Sequence, residues 1–469
     1  MRARLSTTFR SLRVRNYRLF ATGQLVKLIG VWMMFTAQDW LVLELSGNSA
    51  TALGVVTALQ FTPVLLLTLY GGKLADRYDK RLLLIFANGA FAVTAVVFAI
   101  LVAADLVALW HVYLFAVLLG VANSIETPVR QAFVSELVGM PLLPNAMSLS
   151  AAAFNSARIT GPALAGVALA ASGGKVGPTF LISTALVLAP VLTYWRMRAA
   201  DLHRELPPAA GERAEARIAD GLRYVWRRHD LLLPIAMMAV VGMVGFNFPV
   251  TLAALAKIEF HSGPASFGLL TTALAVGSLA GAFAGSGRKS RPSVYVVIGA
   301  AVAFGVLETM VGFAPSFWLA MVLLVPTGFF AVLFGQASNQ RVQLGTEAAY
   351  RGRVMALYVL VFFGTTPIGA PLIGWWTERY GAPSSIWLGG LLSLVTGAAA
   401  LVWQLRRTGA RLRLRVRPRP RLSVVSLPVP TPPVDGRDVI GPVDGRDVVG
   451  PVDGRDVDGR GRLSERAAA

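Results

Sequence analysis

The sequence predicts an all-α membrane protein with twelve transmembrane helices, and three observations support this fold class. The mean hydropathy is +0.60 and 55% of the residues are hydrophobic, which is more apolar surface than a soluble domain can bury. Only 15% of the 469 residues are charged, against roughly a quarter in ordinary soluble proteins. The Lys and Arg residues fall almost entirely on one side of the expected crossings. Most of the chain is therefore expected to lie in lipid.

Twelve apolar segments are long enough to cross a bilayer, since one crossing needs roughly 20 residues at a rise of about 1.5 Å each. The first segment is too long for a signal peptide and carries Lys27 and Asp39, so it is expected to remain as an uncleaved span. The predicted spans cover residues 18–44, 50–75, 81–103, 108–129, 145–171, 177–198, 231–256, 265–287, 293–314, 317–340, 353–377 and 385–405.

The distribution of Lys and Arg predicts the orientation of these spans. The N-terminus, every second loop and the segment after the last span together hold 31 of these residues. The opposite loops hold only Lys175, Lys257 and Arg379. Basic loops stay on the cytoplasmic side, so we expect both termini to lie in the cytoplasm. The net charge of +19 is then a topology signal, and nucleic acid is not an expected partner.

An internal repeat predicts that the spans form two halves. Four residues of the fifth span recur in the eleventh span at a constant shift of 208 positions. They are Met147, Leu149, Gly161 and Gly166, which are matched by Met355, Leu357, Gly369 and Gly374. Parallel repeats of this kind are typical of transporters that bind substrate between two related bundles. We therefore expect two pseudo-symmetric six-helix bundles, at residues 1–198 and 231–407.

Two polar regions interrupt the apolar pattern. Residues 199–230 are expected to form a cytoplasmic linker that contains an amphipathic helix on the inner membrane surface. Residues 408–469 contain the sequence PVDGRDV three times with a nine-residue period, and they lack aromatic residues. This composition predicts a disordered cytoplasmic tail. The apolar positions at helical spacing in the linker are Ile218, Leu222, Val225 and Trp226.

The loop between the second and third spans carries the most specific motif, GGKLADRYDKRLL at residues 71–83. It resembles the G-x-L-A-D-R-x-G-R-K loop of the major facilitator superfamily, with Asp79 in place of the second glycine. The segments NYRLFATGQLVKLIG, PVRQAFVSELV and YRGRVMALYVL extend the resemblance over residues 9 to about 405. They resemble the bacterial branch that includes enterobactin (siderophore) exporters and macrolide-efflux-like transporters. The resemblance implies the major facilitator fold and a transport function.

The same resemblance implies a cytoplasmic latch. Asp76 is expected to meet the N-terminus of the eleventh helix, where the helix dipole favours an acid. The loop cations are expected to pair with Glu126, which also lies one helical turn from Arg130. A charge cluster that merely sets the topology is the alternative. The expected latch residues are Gly72, Asp76, Arg77, Lys80, Arg81, Glu126 and Arg130.

Polar residues inside spans 1, 5 and 7 predict a central cavity for the substrate. At about 100° per residue, Gln38 lies about 20° from Lys27 on the first helix and Gln24 about 60° from it, so the three form one polar stripe. Arg158 lies near the middle of the fifth span, where a cation normally faces the bundle interior. An ion pair between Arg158 and a neighbouring helix is the alternative. The expected cavity residues are Gln24, Lys27, Gln38, Asn155, Arg158 and Asn247.

The fifth span also contains ARITGPALAG, which resembles the G-x-x-x-G-P-x-x-G-G motif of drug and metabolite antiporters. Gly161, Pro162 and Gly166 match the motif, whereas alanines replace two of its glycines. The resemblance implies export, and tight helix packing is the alternative role. Asp39 is the first candidate for proton coupling. Glu308 is the second, because in this fold the ninth span belongs to the outer scaffold.

These observations predict a secondary active transporter that exports a hydrophobic or amphipathic small molecule, such as a drug or siderophore-like metabolite, in exchange for protons. No nucleotide-binding loop or nucleophile motif is present, so neither an ATP-driven pump nor an enzyme is expected. The chain has no cysteine and four scattered histidines, so neither a metal site nor a cofactor is expected. Expected partners are the substrate, protons and the lipid bilayer, and the protein is expected to be a monomer. The alternatives are an importer or uniporter of a polar nutrient, and a non-transporting receptor or assembly protein with the same fold.

Overall fold

The computed structural model divides into two units, Met1–Arg407 and Thr408–Ala469. The first unit contains the apolar helices, and the second contains two short strands. The structure describes residues 9–203, 218–286, 290–408, 411–415 and 421–425.

The apolar helices mostly extend a few residues beyond the predicted spans. In chain order they are α1 (Arg15–Leu45), α2 (Ala50–Arg77), α3 (Lys80–Ala103), α4 (Leu109–Ala171), α5 (Val176–Val187), α6 (Ala189–Trp195), α7 (Ile218–Arg227), α8 (His229–Val244), α9 (Phe248–Ala254), α10 (Pro264–Ser286), α11 (Val294–Gly312), α12 (Phe317–Gly345), α13 (Ala348–Gly364), α14 (Thr366–Tyr380) and α15 (Ala382–Thr408). Short 3₁₀ helices lie at Arg10–Arg13 and Ala199–Asp201, and a π-helical turn lies at Leu255–Glu259.

Within the described ranges, eleven helices or continuous helix pairs are long and apolar enough to cross a membrane. Helix α4 is one of them, and its 63 residues form two helical segments on either side of Gly139, with about 95 Å of helix in total at a rise of 1.5 Å per residue. A bilayer core is roughly 30 Å thick, so α4 is long enough for the predicted fourth and fifth spans together. Its backbone is broken at Gly139, where φ is 68°. The two segments of α4 are therefore compatible with two of the twelve predicted crossings.

Three predicted spans are interrupted where the sequence places a proline. Helix α5 ends shortly before Pro190, α8 before Pro249 and α13 before Pro367. Proline lacks the N–H group that would continue the helical ladder, and it is favoured in the first turn of the next helix. The break between α8 and α9, at residues 245–247, is the widest of the three.

The two halves of the first unit contact each other at one end of the helices. We call the end that carries the loop 71–83 the basic end, and the other end the opposite end. Helix α2 packs on α14 so closely that a Cβ at Gly54 would lie 2.3 Å from the carbonyl oxygen of Ala370. Helix α4 packs on α10, where a Cβ at Gly268 would lie 2.8 Å from the carbonyl oxygen of Pro162. These small residues allow backbone-to-backbone contact between the halves.

A buried apolar cluster strengthens this contact. It includes Leu41 and Phe98 from the first half together with Val250 and Phe267 from the second half. All four side chains are at most 3% exposed. The halves therefore share one continuous core at the opposite end.

The linker helix α7 packs against α13 at the basic end. The rings of Tyr224 and Tyr350 stack with their centroids 4.3 Å apart, and Val225 is buried. Arg228 forms a two-pronged ion pair with Asp230, at 3.0 and 3.1 Å. Hydrogen bonding to Asp230 raises the pKa of Arg228. The predicted amphipathic helix is thus present, its position on the membrane surface stays a prediction, and residues 204–217 of the linker lie outside the described residues.

The second unit differs from the predicted disorder over ten residues. Strand β1 (Arg411–Arg415) pairs with β2 (Arg421–Val425) in antiparallel register, with Arg413 opposite Ser423. The alternating sequence RLRLR has the two-residue period of a strand. The repeats after residue 425 lie outside the described residues.

Candidate functional site

A buried charge cluster in the first half is centred on Glu126 of α4. Its Oε1 atom lies 3.2 Å from Lys27 Nζ and 3.1 Å from Arg130 Nε, and it accepts a 3.2 Å hydrogen bond from Gln24 Nε2. Gln24 also donates to the hydroxyl group of Tyr194. Glu126 and Lys27 are each only 5% exposed. Two cations share one carboxylate, so the cluster carries a net positive charge between α1, α4 and α6.

Glu126 does not pair with the loop cations, contrary to the prediction. Lys80 instead forms an ion pair with Glu136, which lies further along α4 toward the basic end. Arg81 donates to two backbone carbonyl groups at the end of α6, at 2.9 and 3.0 Å. The reason is depth: Glu126 lies well inside the bundle, where Lys27 reaches it from α1. No sequence pattern indicated Glu136 as the partner of the loop.

Asp79, which stands where the family motif has a glycine, has a local role. Its carboxylate accepts a 3.1 Å hydrogen bond from the backbone N–H of Leu82 and so caps the N-terminus of α3. Asp76 and Arg77 are exposed at the end of α2, and a Cβ at Gly72 would meet open space. The docking of Asp76 on the eleventh span stays a prediction.

Arg158 lies half-buried on α4 beside an aromatic surface. Its guanidinium group lies 5.8 Å from the centre of the Trp32 ring, and that ring lies 5.9 Å from the ring of Phe154. Asn155, one turn away, donates to the backbone carbonyl of Ala151 at 2.8 Å. In the described ranges Arg158 forms no salt bridge, so the alternative of a neighbouring acid is not observed.

The predicted motif of the fifth span packs against both halves. A Cβ at Gly161 would lie 2.4 Å from the Trp32 Cβ, which shows how closely α4 approaches α1. A Cβ at Gly166 would lie 3.3 Å from the carbonyl oxygen of Ala265 on α10. Pro162 contacts the same helix. The motif therefore holds Arg158 beside the junction of α1, α4 and α10.

Gln38 and Asp39 lie away from the Glu126 cluster. Twelve residues separate Asp39 from Lys27 on α1, which corresponds to about 18 Å along the helix. Gln38 is 1% exposed and its Oε1 atom has no hydrogen-bond partner. Asp39 is 9% exposed, and over the described ranges its carboxyl group has neither a hydrogen bond nor an ion pair. The polar stripe of α1 is thus divided between two levels of the bundle.

Asn247 and Glu308 lie at the break between α8 and α9. Asn247 is 4% exposed and donates to the backbone carbonyl of Met243 at 2.7 Å. Glu308 of α11 is also 4% exposed, and its Oε2 atom has no hydrogen-bond partner. Asn247 therefore supports the broken backbone, whereas Glu308 is a buried acid beside it.

A contact that the sequence did not predict joins α2 and α14 at the opposite end. Glu378 Oε2 accepts a 2.7 Å hydrogen bond from the Ser49 hydroxyl and a 3.1 Å hydrogen bond from the backbone N–H of Thr51. Ser49 is the N-cap of α2. The carboxylate of one half thus binds the N-terminus of a helix of the other half, a favourable position for an anion.

The sequence model of a family described as transmembrane secretion effector matches residues 6–425. The chain belongs to this family of the major facilitator superfamily. The predicted superfamily and branch are thereby confirmed. The nucleoside transporter NupG, a solved structure of 12% sequence identity, superimposes with a TM-score of 0.63 over 83% of this chain and 98% of its own. This likeness supports the major facilitator fold for the chain.

Several relatives of this chain are named as transporters, efflux pumps or exporters. The staphyloferrin A transporter of Staphylococcus aureus is 24% identical over 78% of this chain and 90% of its own length. The multidrug efflux pump Tap of Mycolicibacterium fortuitum is 26% identical over 79% of this chain and 91% of its own. The enterobactin exporter EntS of Citrobacter koseri is 24% identical over 71% and 78%.

Proposed function

We propose that this chain is a proton-coupled exporter of amphipathic small molecules that works by alternating access. The family assignment makes it a membrane transporter, and relatives are named as efflux or export proteins. The distribution of Lys and Arg supports an inner-membrane orientation with both termini in the cytoplasm. The first unit contains both halves that a binding site between bundles requires, so we propose a monomer as the working form.

The observation that carries the proposal is Arg158. A cation at this depth normally has an anion or a wet cavity beside it, and in the described ranges no carboxylate pairs with it. The faces of Trp32 and Phe154 lie next to it. An amphipathic cargo fits this surface, with its apolar ring on the aromatic side chains and an anionic or hydrogen-bond-accepting group on the guanidinium group.

The packing of the halves supports access from one side. Contacts of α2 with α13 and α14 run from Ala50 and Gly374 at the opposite end to Leu65 and Gly364 in the middle of the bundle. With the basic end in the cytoplasm, this arrangement closes the outer side and is the inward-facing state of an exporter. Reopening the outer side requires these contacts, and the α4–α10 contact, to separate.

Asp39 is our primary candidate for the coupled proton. Its carboxyl group is largely buried and has no charged partner within the described part of the chain. A carboxyl group in this situation can alternate between a neutral and a charged form as its surroundings change. We expect Asp39→Asn to remove transport driven by a pH gradient while cargo binding remains measurable.

Three dansyl probes test the cargo class. Dansylglycine carries a carboxylate, the amide derivative of dansylglycine is neutral, and a dansyl alkylamine is cationic. All three probes share the same aromatic dansyl group. We expect dansylglycine to bind the purified protein most tightly. Arg158→Ala should weaken its binding about ten-fold or more, because a charge-assisted hydrogen bond contributes roughly 1.5–3 kcal/mol. Arg158→Lys should recover part of this loss, and exchange of the exposed Arg379 for alanine is the matched control.

Proteoliposomes separate the proposed function from its rivals. An imposed proton gradient should drive dansylglycine across the membrane in the direction opposite to that of the protons. Flux that ignores the gradient would indicate a uniporter. Equal affinity for the three probes, or an unchanged affinity in Arg158→Ala, would remove Arg158 from the cargo site.

A further inference from the structure

Two buried polar atoms without hydrogen-bond partners lie together in the second half. Glu308 is 4% exposed and Ser393 of α15 is fully buried. Neither Glu308 Oε2 nor Ser393 Oγ has a hydrogen-bond partner. Buried polar atoms are normally paired, because each unpaired one costs roughly 1–3 kcal/mol. Two such atoms at one place indicate that something binds there or moves there.

The place is the break between α8 and α9. A Cβ at Gly245 would lie 2.9 Å from Ser393 Oγ and 3.1 Å from Glu308 Oε2. The two oxygen atoms are therefore at most about 6 Å apart. Glycine at this position lets both side chains reach the backbone of the broken helix. The other carboxylate oxygen, Glu308 Oε1, would lie 3.5 Å from a Cβ at Gly389.

No other charge faces this acid from the helices packed around it. The remaining titratable or charged residues of α8, α11, α12 and α15 lie at their basic ends, and Glu308 is fourteen residues, or about 21 Å, from the start of α11. An isolated carboxylate at such a site is costly, whereas a neutral carboxyl group can donate its proton to a hydroxyl oxygen. The residues at the basic ends are His229, Asp230, Tyr295, Arg341, Arg406 and Arg407.

The ligand that fits is a proton. A metal cation such as Ca²⁺ or Mg²⁺ takes about six or more oxygen ligands, and in the described ranges the side-chain oxygens noted at this place come from two residues, Glu308 and Ser393. Phe304 fills the remaining side, since its ring lies 2.8 Å from the position of a Gly245 Cβ. The Glu308 carboxyl group can hold one proton without further ligands, and the unpaired Ser393 Oγ lies within about 6 Å of it.

The break connects this acid to the contact between the halves. Before the break, α8 packs on α12, α13 and α14 within the second half. After it, α9 packs on α1 and α2 of the first half, and Lys257 lies 4.7 Å from the centre of the Trp40 ring. A change in charge at Glu308 therefore acts on residues 245–247, which join α8 of the second half to α9 at the contact between the halves.

We propose that Glu308, which lies near Ser393, is a proton-carrying site at the break of the seventh span and that its protonation stabilises contact of the halves at the opposite end. Loss of the proton leaves an unpaired carboxylate beside the backbone of residues 245–247. Movement of the break then lets water reach this carboxylate and solvate its charge. This inference rests on the proposed proton coupling and names a second carboxyl group for it.

Infrared spectroscopy tests the proton directly on the full-length protein in lipid nanodiscs, without cargo. We expect a carboxylic acid C=O band that persists at neutral pH in the wild type and is absent in Glu308→Gln. Asp39→Asn is the matched control and should leave this band in place. A spectrum of Glu308→Gln that keeps the whole wild-type band would overturn the assignment.

Spin labels test the conformational effect. The chain has no cysteine, so labels at Leu106→Cys and Glu259→Cys, two exposed positions at the opposite end, report the separation of the halves without background. We expect raised pH to increase the open population of the wild type by at least about five-fold, the low end of coupling between sites. Glu308→Gln, a neutral mimic of the protonated acid, should stay closed at every pH.

The remaining outcomes also decide the proposal. Ser393→Ala should move the midpoint of the pH response and is the second variant if Glu308→Gln does not fold. A pH response that is identical in the wild type, Glu308→Gln and Ser393→Ala would refute the site, and a response to sodium at fixed pH would identify a metal cation instead. Because neither readout uses cargo, they can succeed when dansylglycine transport fails, and the two proposals are judged separately.

Discussion

Replacing Glu378 should open the end of the protein at which the halves now meet. The carboxylate of Glu378 accepts hydrogen bonds from the Ser49 hydroxyl and from the backbone N–H of Thr51, at 2.7 and 3.1 Å. An anion at an exposed helix N-terminus contributes about 0.3–1 kcal/mol, and loss of a side-chain cap costs about 1 kcal/mol. With Glu378 exposed to solvent, we take about 1 kcal/mol for the whole contact, which is a five-fold change in a two-state equilibrium.

The spin-label pair at Leu106→Cys and Glu259→Cys measures this change as a ratio of open to closed populations. Glu378→Ala should raise the open fraction about five-fold, and Glu378→Gln should raise it less, because the amide oxygen still accepts hydrogen bonds. The difference between the two variants should shrink in high salt, which screens an exposed charge. Arg379→Ala, at the neighbouring exposed position, is the control. Equal populations in Glu378→Ala and the wild type would show that the contact contributes nothing to closure.

Three further substitutions test the remaining parts of the site. Glu126→Ala should lower the free energy of unfolding by about 3 kcal/mol, because it leaves two cations buried without their anion, and thermal unfolding should show a smaller loss for Glu136→Ala. Gly161→Ala should reduce thermal stability by roughly 1–3 kcal/mol through overpacking, whereas Gly89→Ala, where a Cβ meets open space, should be neutral. In the state whose basic end is closed, Asp76→Asn should increase the population that is open at the basic end. An unchanged labelling rate of a cysteine introduced at that end would show that the loop 71–83 only sets the topology.

The sequence predicted those features that depend on local composition and period. Apolar length identified the spans, and helical spacing correctly placed Gln24 and Lys27 on one face of α1. The same reasoning put a helix break between Arg130 and residue 145, and the structure breaks α4 at Gly139, inside this interval, although the helix extends past the predicted end at residue 129. The helix continues because Val134, Leu137 and Val138 bury an apolar face in the core at the basic end. Tertiary packing thus decided a boundary that hydropathy could not.

The sequence did not predict which side chains pair with each other across neighbouring helices. Nothing local distinguishes Glu126 from Glu136 as the partner of Lys80, because both lie on one helix near the same loop. Likewise, the polar Ser393 in an apolar helix gave a signal of burial but no indication that it meets Glu308. Those pairings depend on the rotation and depth of neighbouring helices, which the period of a single helix does not determine.

The Glu378 contact places an acid of one half on a helix N-terminus of the other half, which is the type of contact that the sequence predicts for Asp76 at the basic end. In the first half, Asp76 ends the second span and is expected to dock on the N-terminus of the eleventh span. In the structure, Glu378 ends the eleventh span and docks on the N-terminus of the second span, at the opposite end of the same helix pair. The two acids are not equivalent positions of the repeat, which aligns the fifth span with the eleventh, but each position uses the same helix-end chemistry. Because one helix pair cannot approach closely at both ends while a cavity between the halves opens to one side, the observed Glu378 contact and the expected Asp76 contact would compete. In the proposed alternating-access cycle, this competition would close one end at a time.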